Sequence, residues 1–298
     1  MKISLHSSTT NHGTVERVVD EVARVGRTGL AGYWAPMLNG VDTLTALAVA
    51  ANRVPDVELA TAVVPIPLRT PYALAQQALT VQEISGGRLT IGLGTSHKDL
   101  AERLFATEWG SPMATMRSYL TELRRLLEGE HPDRLSPRAP APQVVLGAVN
   151  PVMAAFAAER ADGVVTWASG LRTVEQVIVP AASGRREPFR IVTALPLCVT
   201  DDVEAARAAI HRKLGANDAL PSYQRVLARE GADGIAAMSL VGDEEAIAGQ
   251  LRRLSESGVT ELAAHVVARG GDDERTWRFL GEVAADERSS VSPRRSIG

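Results

Sequence analysis

The chain has 298 residues, is 45% hydrophobic and 22% charged, and carries a net charge of −3. That balance suits a soluble protein with a sizeable core and excludes a disordered chain, while the mild acidity gives no sign of a nucleic-acid or membrane-surface partner. The opening MKISLHSS lacks the apolar core of a signal peptide, and no apolar run reaches membrane-spanning length.

Strand-like and helix-like segments alternate along the chain. Ile3–His6 reads as a strand, Thr14–Val25 as an amphipathic helix stopped by Gly26 or Gly29, and Leu30–Trp34 as a second strand. Asp42 can cap a helix running to Asn52, because its carboxylate accepts the unpaired N–H groups of a first helical turn. Val57–Val63 is the third strand. Pro71 opens a helix that runs to Ile84, Gly86 and Gly87 stop it, and Leu89–Leu93 is the fourth strand. Met116–Leu127 has helical leucine spacing. The segment His131–Pro142 is rich in proline and arginine and reads as an irregular surface connection.

The alternation then resumes with strand Val144–Gly147, helix Pro151–Ala161 and strand Val164–Trp167. Pro180–Pro188 resembles an excursion before the strand Ile191–Val199, where the lone cysteine, Cys198, is expected to be buried and inert. One cysteine excludes an internal disulfide framework and suits a reducing cytoplasm. Asp201 or Asp202 caps a helix to Leu214, and Ala219–Val241 is ambiguous, with helical character. A helix over Asp243–Ser257, a strand over Glu261–Val267 and a helix over Asp273–Ala285 complete the pattern. Residues 1–287 are read as a single domain and residues 288–298 as a polar tail.

Eight strands, each followed by a helix or an irregular excursion, predict an α/β fold: a parallel (β/α)8 TIM barrel with an insertion around 170–190. A doubly wound sheet is the alternative. In a barrel the functional groups gather at the C-terminal strand ends. Those ends are His6, Trp34, Ala62–Val64, Gly94–His97, Gly147–Asn150, Trp167–Gly170, Cys198–Thr200 and the residues after Val267. The stretch Val57–His97 is a β-α-β unit whose two strands end side by side in small residues, which leaves room for a flat ligand beside one titratable side chain, His97.

Several chemistries fail on inspection. His-Glu-x-x-His and Cys-x-x-Cys are absent, so no metal site is expected. Gly94-Thr95-Ser96-His97-Lys98 lacks the second glycine of a nucleophile elbow, and Gly92-x-Gly94 is followed by His97 where a dinucleotide fingerprint needs its third glycine. A pocket of small residues with few charges suits a protein that borrows its chemistry from an organic cofactor.

The strings ATAVVPIPLRTPYALAQQALTVQEISGGRLTIGLGTSH (60–97) and LGAVNPVMAAFAAERADGVVTWASG (146–170) resemble the luciferase-like superfamily of flavin- and deazaflavin-dependent oxidoreductases. The likeness runs from Met1 to about Val267 and is strongest to members that use coenzyme F420, a deazaflavin hydride carrier. It implies an F420-dependent reductase that delivers hydride to a C=C or C=N bond of a small organic substrate. The alternative is an FMN-dependent monooxygenase that uses reduced FMN and O2. It also implies a non-prolyl cis peptide at Ala62–Val63, a bulge that with Val64 supports the cofactor ring, although ordinary strand core is the plain alternative.

By the same resemblance Gly94, Ser96 and His97 border the ring, and Gly147, Ala148 and Asn150 sit at a phosphate-binding helix start. Ser169 and Gly170 match a second phosphate-contacting turn; helix capping by Asn150 and a plain turn are the competing readings. His97 stands where some relatives carry a proton-donating glutamate, and it either moves a proton or only orients the ring. Trp34 is an aromatic wall for the substrate or a plug of the barrel, and His6 points into the pocket or is structural. The relatives' catalytic histidine after the second strand is missing, since the chain reads Trp34-Ala35-Pro36-Met37, which favours reduction over alcohol oxidation. Members of the family commonly pair through barrel helices, so a homodimer is expected.

Overall fold

A computed structural model describes residues 1–132, 135, 139–185, 187–268 and 270–291. Its ten strands are β1 (Lys2–His6), β2 (Gly32–Ala35), β3 (Glu58–Thr61), β4 (Val64–Pro65), β5 (Leu89–Gly94), β6 (Gln143–Gly147), β7 (Gly163–Trp167), β8 (Arg190–Val199), β9 (Leu240–Gly242) and β10 (Glu261–Val266). Eight of them pair in parallel in the order β1-β2-β3-β5-β6-β7-β8-β10, and β10 pairs back onto β1, so the sheet closes. β4 continues beyond β3 and pairs with β5, and β9 pairs with the far end of β8 outside the ring. The fold is a (β/α)8 barrel, and the doubly wound alternative is excluded by the closure.

Local chemistry sets the helix starts. Thr14, Asp42, Thr70, Asn150, Asp202 and Asp243 each accept a backbone N–H three residues on, and Pro71 and Pro151 occupy first-turn positions where a missing N–H costs nothing. Asp42 also receives Arg69 and the Gln77 amide, tying helix 43–53 to helix 71–84. Beyond Ile84, Gly86 and Gly87 take φ of 64° and 91°, which turns the chain into β5. Arg88 then donates to the carbonyls of Ser85, Val57 and Ala51 at 2.7, 2.6 and 3.0 Å. The Ser-Gly-Gly-Arg string is therefore a clamp that locks a helix end onto the start of β3.

Inside the ring the side chains form layers. The lowest is polar: Glu261 is 1% exposed, pairs with Arg190, and accepts Ser4 Oγ–H at 2.6 Å and Trp34 Nε1–H at 2.7 Å. Arg190 also donates to Thr90 and Gln143, both at 3.0 Å. Above it Trp34 packs with Ala60, Val145, Val165, Val192 and Ala263. The larger core lies between strands and helices, with Leu44, Leu59, Leu74, Ile91 and Leu120 fully buried.

The long excursion falls elsewhere than expected. Residues 171–181 are helical and form the return after β7. The largest departure from the barrel is 200–243, which carries helices Val203–Leu214, Pro221–Glu230 and Ile235–Met238 together with β9. Its apolar residues form a small core of their own with Ala168 and Cys198. The last helix runs from Gly271 to Val291, past the expected start of the tail, and residues 292–298 lie outside the described residues. No helix among the described residues is long and apolar enough to cross a membrane.

Candidate functional site at the barrel rim

The C-terminal ends of β1, β3, β5, β6, β7 and β10 converge on one rim. At its centre the Ala62–Val63 peptide bond is cis, where the resemblance implied it. Ala62 and Val63 are only partly buried, while Val64 and Pro65 re-enter the sheet against Leu93 and Gly94. A Cβ on Gly94 would collide with Val63 Cγ2, one on Gly92 with the Thr61 carbonyl, and one on Gly147 would sit 3.3 Å from Val63 Cγ1. The small residues at these strand ends thus make room for the Val63 side chain.

Three rings fill the top of the barrel beside it. His6 stacks on Trp167 with centroids 4.6 Å apart and planes 24° apart, and His265 meets Trp167 edge-on at 5.2 Å. The Nδ1 atoms of His6 and His265 are 3.1 Å apart, and His265 Nδ1 lies 3.2 Å from the His6 carbonyl oxygen. Burial lowers the His6 pKa to about 4 and pushes that of His265 well below the usual histidine value. Both rings are therefore neutral at physiological pH. His6 is buried rather than open to a ligand.

His97 begins the loop after β5, with Ser96 before it in a left-handed conformation at φ 70°. The imidazole is half-buried, lies 6.0 Å from the Tyr223 ring, and has no hydrogen-bond partner among the described residues. Burial lowers its pKa, with Asp99 opposing the shift. Tyr223 comes from helix 221–230, so the excursion reaches over the rim and lands beside the half-buried His97 ring.

Other expected residues take different parts. Trp34 is 1% exposed and turned toward Glu261 at the base of the barrel, so it is the plug and has no face for a substrate. Asn150 Oδ1 accepts the Met153 N–H at 3.0 Å, the capping reading, and Ala148 N–H donates to Val165 O. At the Ser169-Gly170 turn, the Glu230 carboxylate accepts the N–H groups of Arg172 and Thr173 at 3.3 and 2.7 Å. It lies where a Cβ on Gly170 would be. Glu230 thus satisfies the first free N–H groups after the Ser169-Gly170 turn. Trp167 belongs to the expected strand ends, whereas His265, Tyr223 and Glu230 have no local sequence signal that places them at the rim. His265 lies inside β10 and not beyond its end, and nothing local marks Tyr223 or Glu230.

The comparisons with known proteins bear on this geometry directly. Residues 1–261 match the luciferase-like monooxygenase family. The chain belongs to that family of enzymes. A Mycobacterium tuberculosis protein, provisionally named a coenzyme F420-dependent oxidoreductase, is 31% identical over 205 residues, covering 57% of this chain and 59% of that protein. Among solved structures, an F420-dependent secondary alcohol dehydrogenase bound to an F420–acetone adduct superposes with a TM-score of 0.79 at 16% identity, covering 95% of this chain and 97% of that one. The oxygenating constituent of 3,6-diketocamphane monooxygenase from Pseudomonas putida, in complex with FMN, superposes with a TM-score of 0.74 at 15% identity, over 95% and 97% of the two chains. At these identities the solved structures show a shared fold.

Proposed function

We propose that this luciferase-like enzyme is an F420-dependent oxidoreductase that works as a reductase on a C=C or C=N bond of a small organic molecule. The observation that carries the reading is the partly exposed Ala62–Val63 bulge with a half-buried imidazole, His97, that has no hydrogen-bond partner among the described residues and lies a few residues beyond the strand that packs against the bulge. An apolar bulge of this kind fits one face of a flat tricyclic ring, and the stacked Trp167 and His6 beside it are held too tightly to collapse into the space. The similarity to the M. tuberculosis oxidoreductase supports F420 as that ring.

When bound and reduced, F420 supplies a hydride. The chain's part is to hold the ring on Ala62 and Val63, with the fully buried Val64 anchoring the bulge from beneath, to keep bulk water from the reacting carbon with the helices of 200–243, and to handle a proton at His97. Because burial lowers the His97 pKa, its protonated form grows in only on the acid side of the usual histidine value. Proton donation in the reductive direction therefore strengthens toward low pH. After β2 the chain reads Trp34-Ala35-Pro36-Met37, with no histidine, and Met37 is 6% exposed and accepts Arg69 Nη1–H at 2.8 Å. That position offers no second proton acceptor, which supports reduction over alcohol oxidation.

The FMN-containing fold neighbour favours one other reading, a monooxygenase that uses reduced FMN and O2. A fluorescence titration of the purified protein against F420 and against FMN tests the proposal. Saturable binding of F420 with no binding of FMN is expected; stoichiometric FMN binding, with oxygen uptake once the flavin is reduced, overturns it.

A further inference from the structure

Helix 221–230, in the middle of the excursion, touches the rim at both of its ends. Its inward face reads Tyr223, Val226, Leu227 and Glu230, the i, i+3, i+4 and i+7 spacing of one helical stripe, while Gln224, Arg225 and Ala228 are exposed. At one end the Glu230 carboxylate accepts the N–H groups of Arg172 and Thr173, and Arg172 Nη1 donates back to the Glu230 carbonyl oxygen at 3.1 Å. At the other end Tyr223 packs on the excursion's own core and meets the His97 ring at 6.0 Å. Seven residues of helix advance about 10 Å. The strands β5 and β7 stand two places apart in the sheet, which is about 9–10 Å. One rigid helix therefore ties the turn after β7 to the loop after β5, and the Glu230 latch fixes where Tyr223 lies.

Two polar groups meet at that second end, and neither is satisfied. The Tyr223 hydroxyl and the His97 imidazole make no hydrogen bond to each other or to any other described residue. Their polar neighbours are already engaged: Asn150 caps its helix, Glu230 is held at the latch, and His6 and His265 face one another. Burial pushes the Tyr223 phenol above its ordinary pKa, so it is a neutral O–H donor at physiological pH. Of the four inward residues only Glu230 carries a charge, and its oxygens are in use. The helix thus brings to His97 one neutral donor and no free charge, which suits an uncharged acceptor atom on a ligand.

We propose that Tyr223 is a substrate-binding residue that donates its O–H to a carbonyl oxygen conjugated with the reduced C=C bond, with Glu230 as the positioning residue that holds it there. This names the substrate as an α,β-unsaturated carbonyl compound, and it rests on the F420 reductase reading. Such a reduction uses two polar groups at two atoms. A hydride from reduced F420 forms a C–H bond at the β carbon as the C=C π bond breaks. The electron pair moves onto the carbonyl oxygen, where the Tyr223 O–H stabilises the charge. A proton from His97, or from water, then forms the C–H bond at the α carbon as the carbonyl double bond returns. Reduction of a C=N bond would need only one such group, because the nitrogen takes both the electron pair and the proton.

The test uses cyclohex-2-enone, labelled with carbon-13 at its carbonyl, as the probe. Isotope-edited infrared spectra of the ketone bound to the protein, with and without oxidised F420, read the carbonyl without turnover. The stretching frequency is expected to be lower in the wild type than in Tyr223→Phe, because an accepted hydrogen bond weakens the C=O bond. Glu230→Ala is expected to lose that shift, and Glu230→Gln, which keeps an acceptor oxygen for the Thr173 N–H, to regain most of it. If Glu230→Ala does not fold, Gly170→Ala takes its place, since a Cβ there would displace the same carboxylate. In turnover with reduced F420, Tyr223→Phe is expected to lower kcat about tenfold, the effect of losing one hydrogen bond. KM is expected to change by less than about threefold, because the bond strengthens as charge reaches the oxygen. Equal carbonyl frequencies in the wild type and Tyr223→Phe overturn the proposal. So does a wild type that binds no ketone with or without F420, or an unchanged kcat in Tyr223→Phe. A shift retained in the latch variant overturns the role given to Glu230. Failure of the wild type to bind F420 counts against the proposed function instead, and the spectra without cofactor still decide the role of Tyr223.

Discussion

Gly94→Ala asks what the small strand ends are for. A Cβ at 94 would lie well inside van der Waals distance of Val63 Cγ2, so the variant is overpacked and should lose about 1–3 kcal/mol of stability without any ligand present. Val63→Ala removes the two methyl groups responsible; at a partly buried position that should cost about 1 kcal/mol. If the two changes were independent, the double variant would lose their sum, about 2–4 kcal/mol. If the glycine exists to seat Val63, the double variant should be no less stable than Val63→Ala alone, giving a coupling of about 1–3 kcal/mol. Urea denaturation of the four apo proteins, compared at equal m-value, measures it. Unchanged stability in Gly94→Ala would sink the reasoning, and so would a double variant that loses the full sum. Either result would return Gly94 to the role of leaving space for a ligand.

The other expectations concern the proton, the pH response and the base of the barrel. His97→Ala should lower turnover about 100-fold, a typical loss for a proton-handling group, while F420 affinity stays near that of the wild type. Unchanged turnover would reduce His97 to orienting the ring. The His6 pKa is about 4 in the fold against about 6.5 when unfolded, so between those values the unfolded chain binds more protons and stability falls as pH drops. His6 alone should cost about 3 kcal/mol by pH 4 relative to pH 7, and His265 acts in the same direction. Urea midpoints across that range should fall less steeply in His6→Asn; an equal slope would contradict the assignment. Glu261→Ala leaves Arg190 and the Trp34 N–H without their buried acceptor, and should cost about 3–5 kcal/mol. A loss within the range of an exposed ion pair, below about 1 kcal/mol, would refute the layer's importance.

Much of the fold was open to sequence reasoning because it is written locally. Helix 71–84 has both its ends in the chain itself, Thr70 and Pro71 at one and the Gly86-Gly87 turn at the other. Asp42, Asp202, Asp243 and Asn150 marked helix starts for the same reason. The motifs that revealed the family turn out to be mostly scaffolding: Arg69 and Gln77 bind Asp42, and Arg88 clamps three carbonyls. That explains why they identified the barrel so readily and its substrate not at all.

The site was less legible because it is assembled from distant residues. The 3.1 Å contact between His6 and His265 joins opposite ends of the chain, and it forms only because β10 closes onto β1. Trp34 sits at a strand end like His6, and only the position of Glu261 sends its indole downward into the core. The glycines at 94 and 147 are the same residues whether the space beside them is for Val63 or for a cofactor. Tertiary packing alone distinguishes the two. Glu230 at the Gly170 turn has no counterpart in local spacing, since its partners are nearly sixty residues away.

The most direct test of the account is a crystal structure of the protein with F420. The deazaflavin ring is expected to rest in van der Waals contact with Ala62 and Val63, with the His97 imidazole at its edge. An ordered cofactor seated elsewhere would contradict it, for example in the groove of about 580 Å³ lined by Leu44, Arg69, Tyr72 and Gln76 on the outside of the barrel.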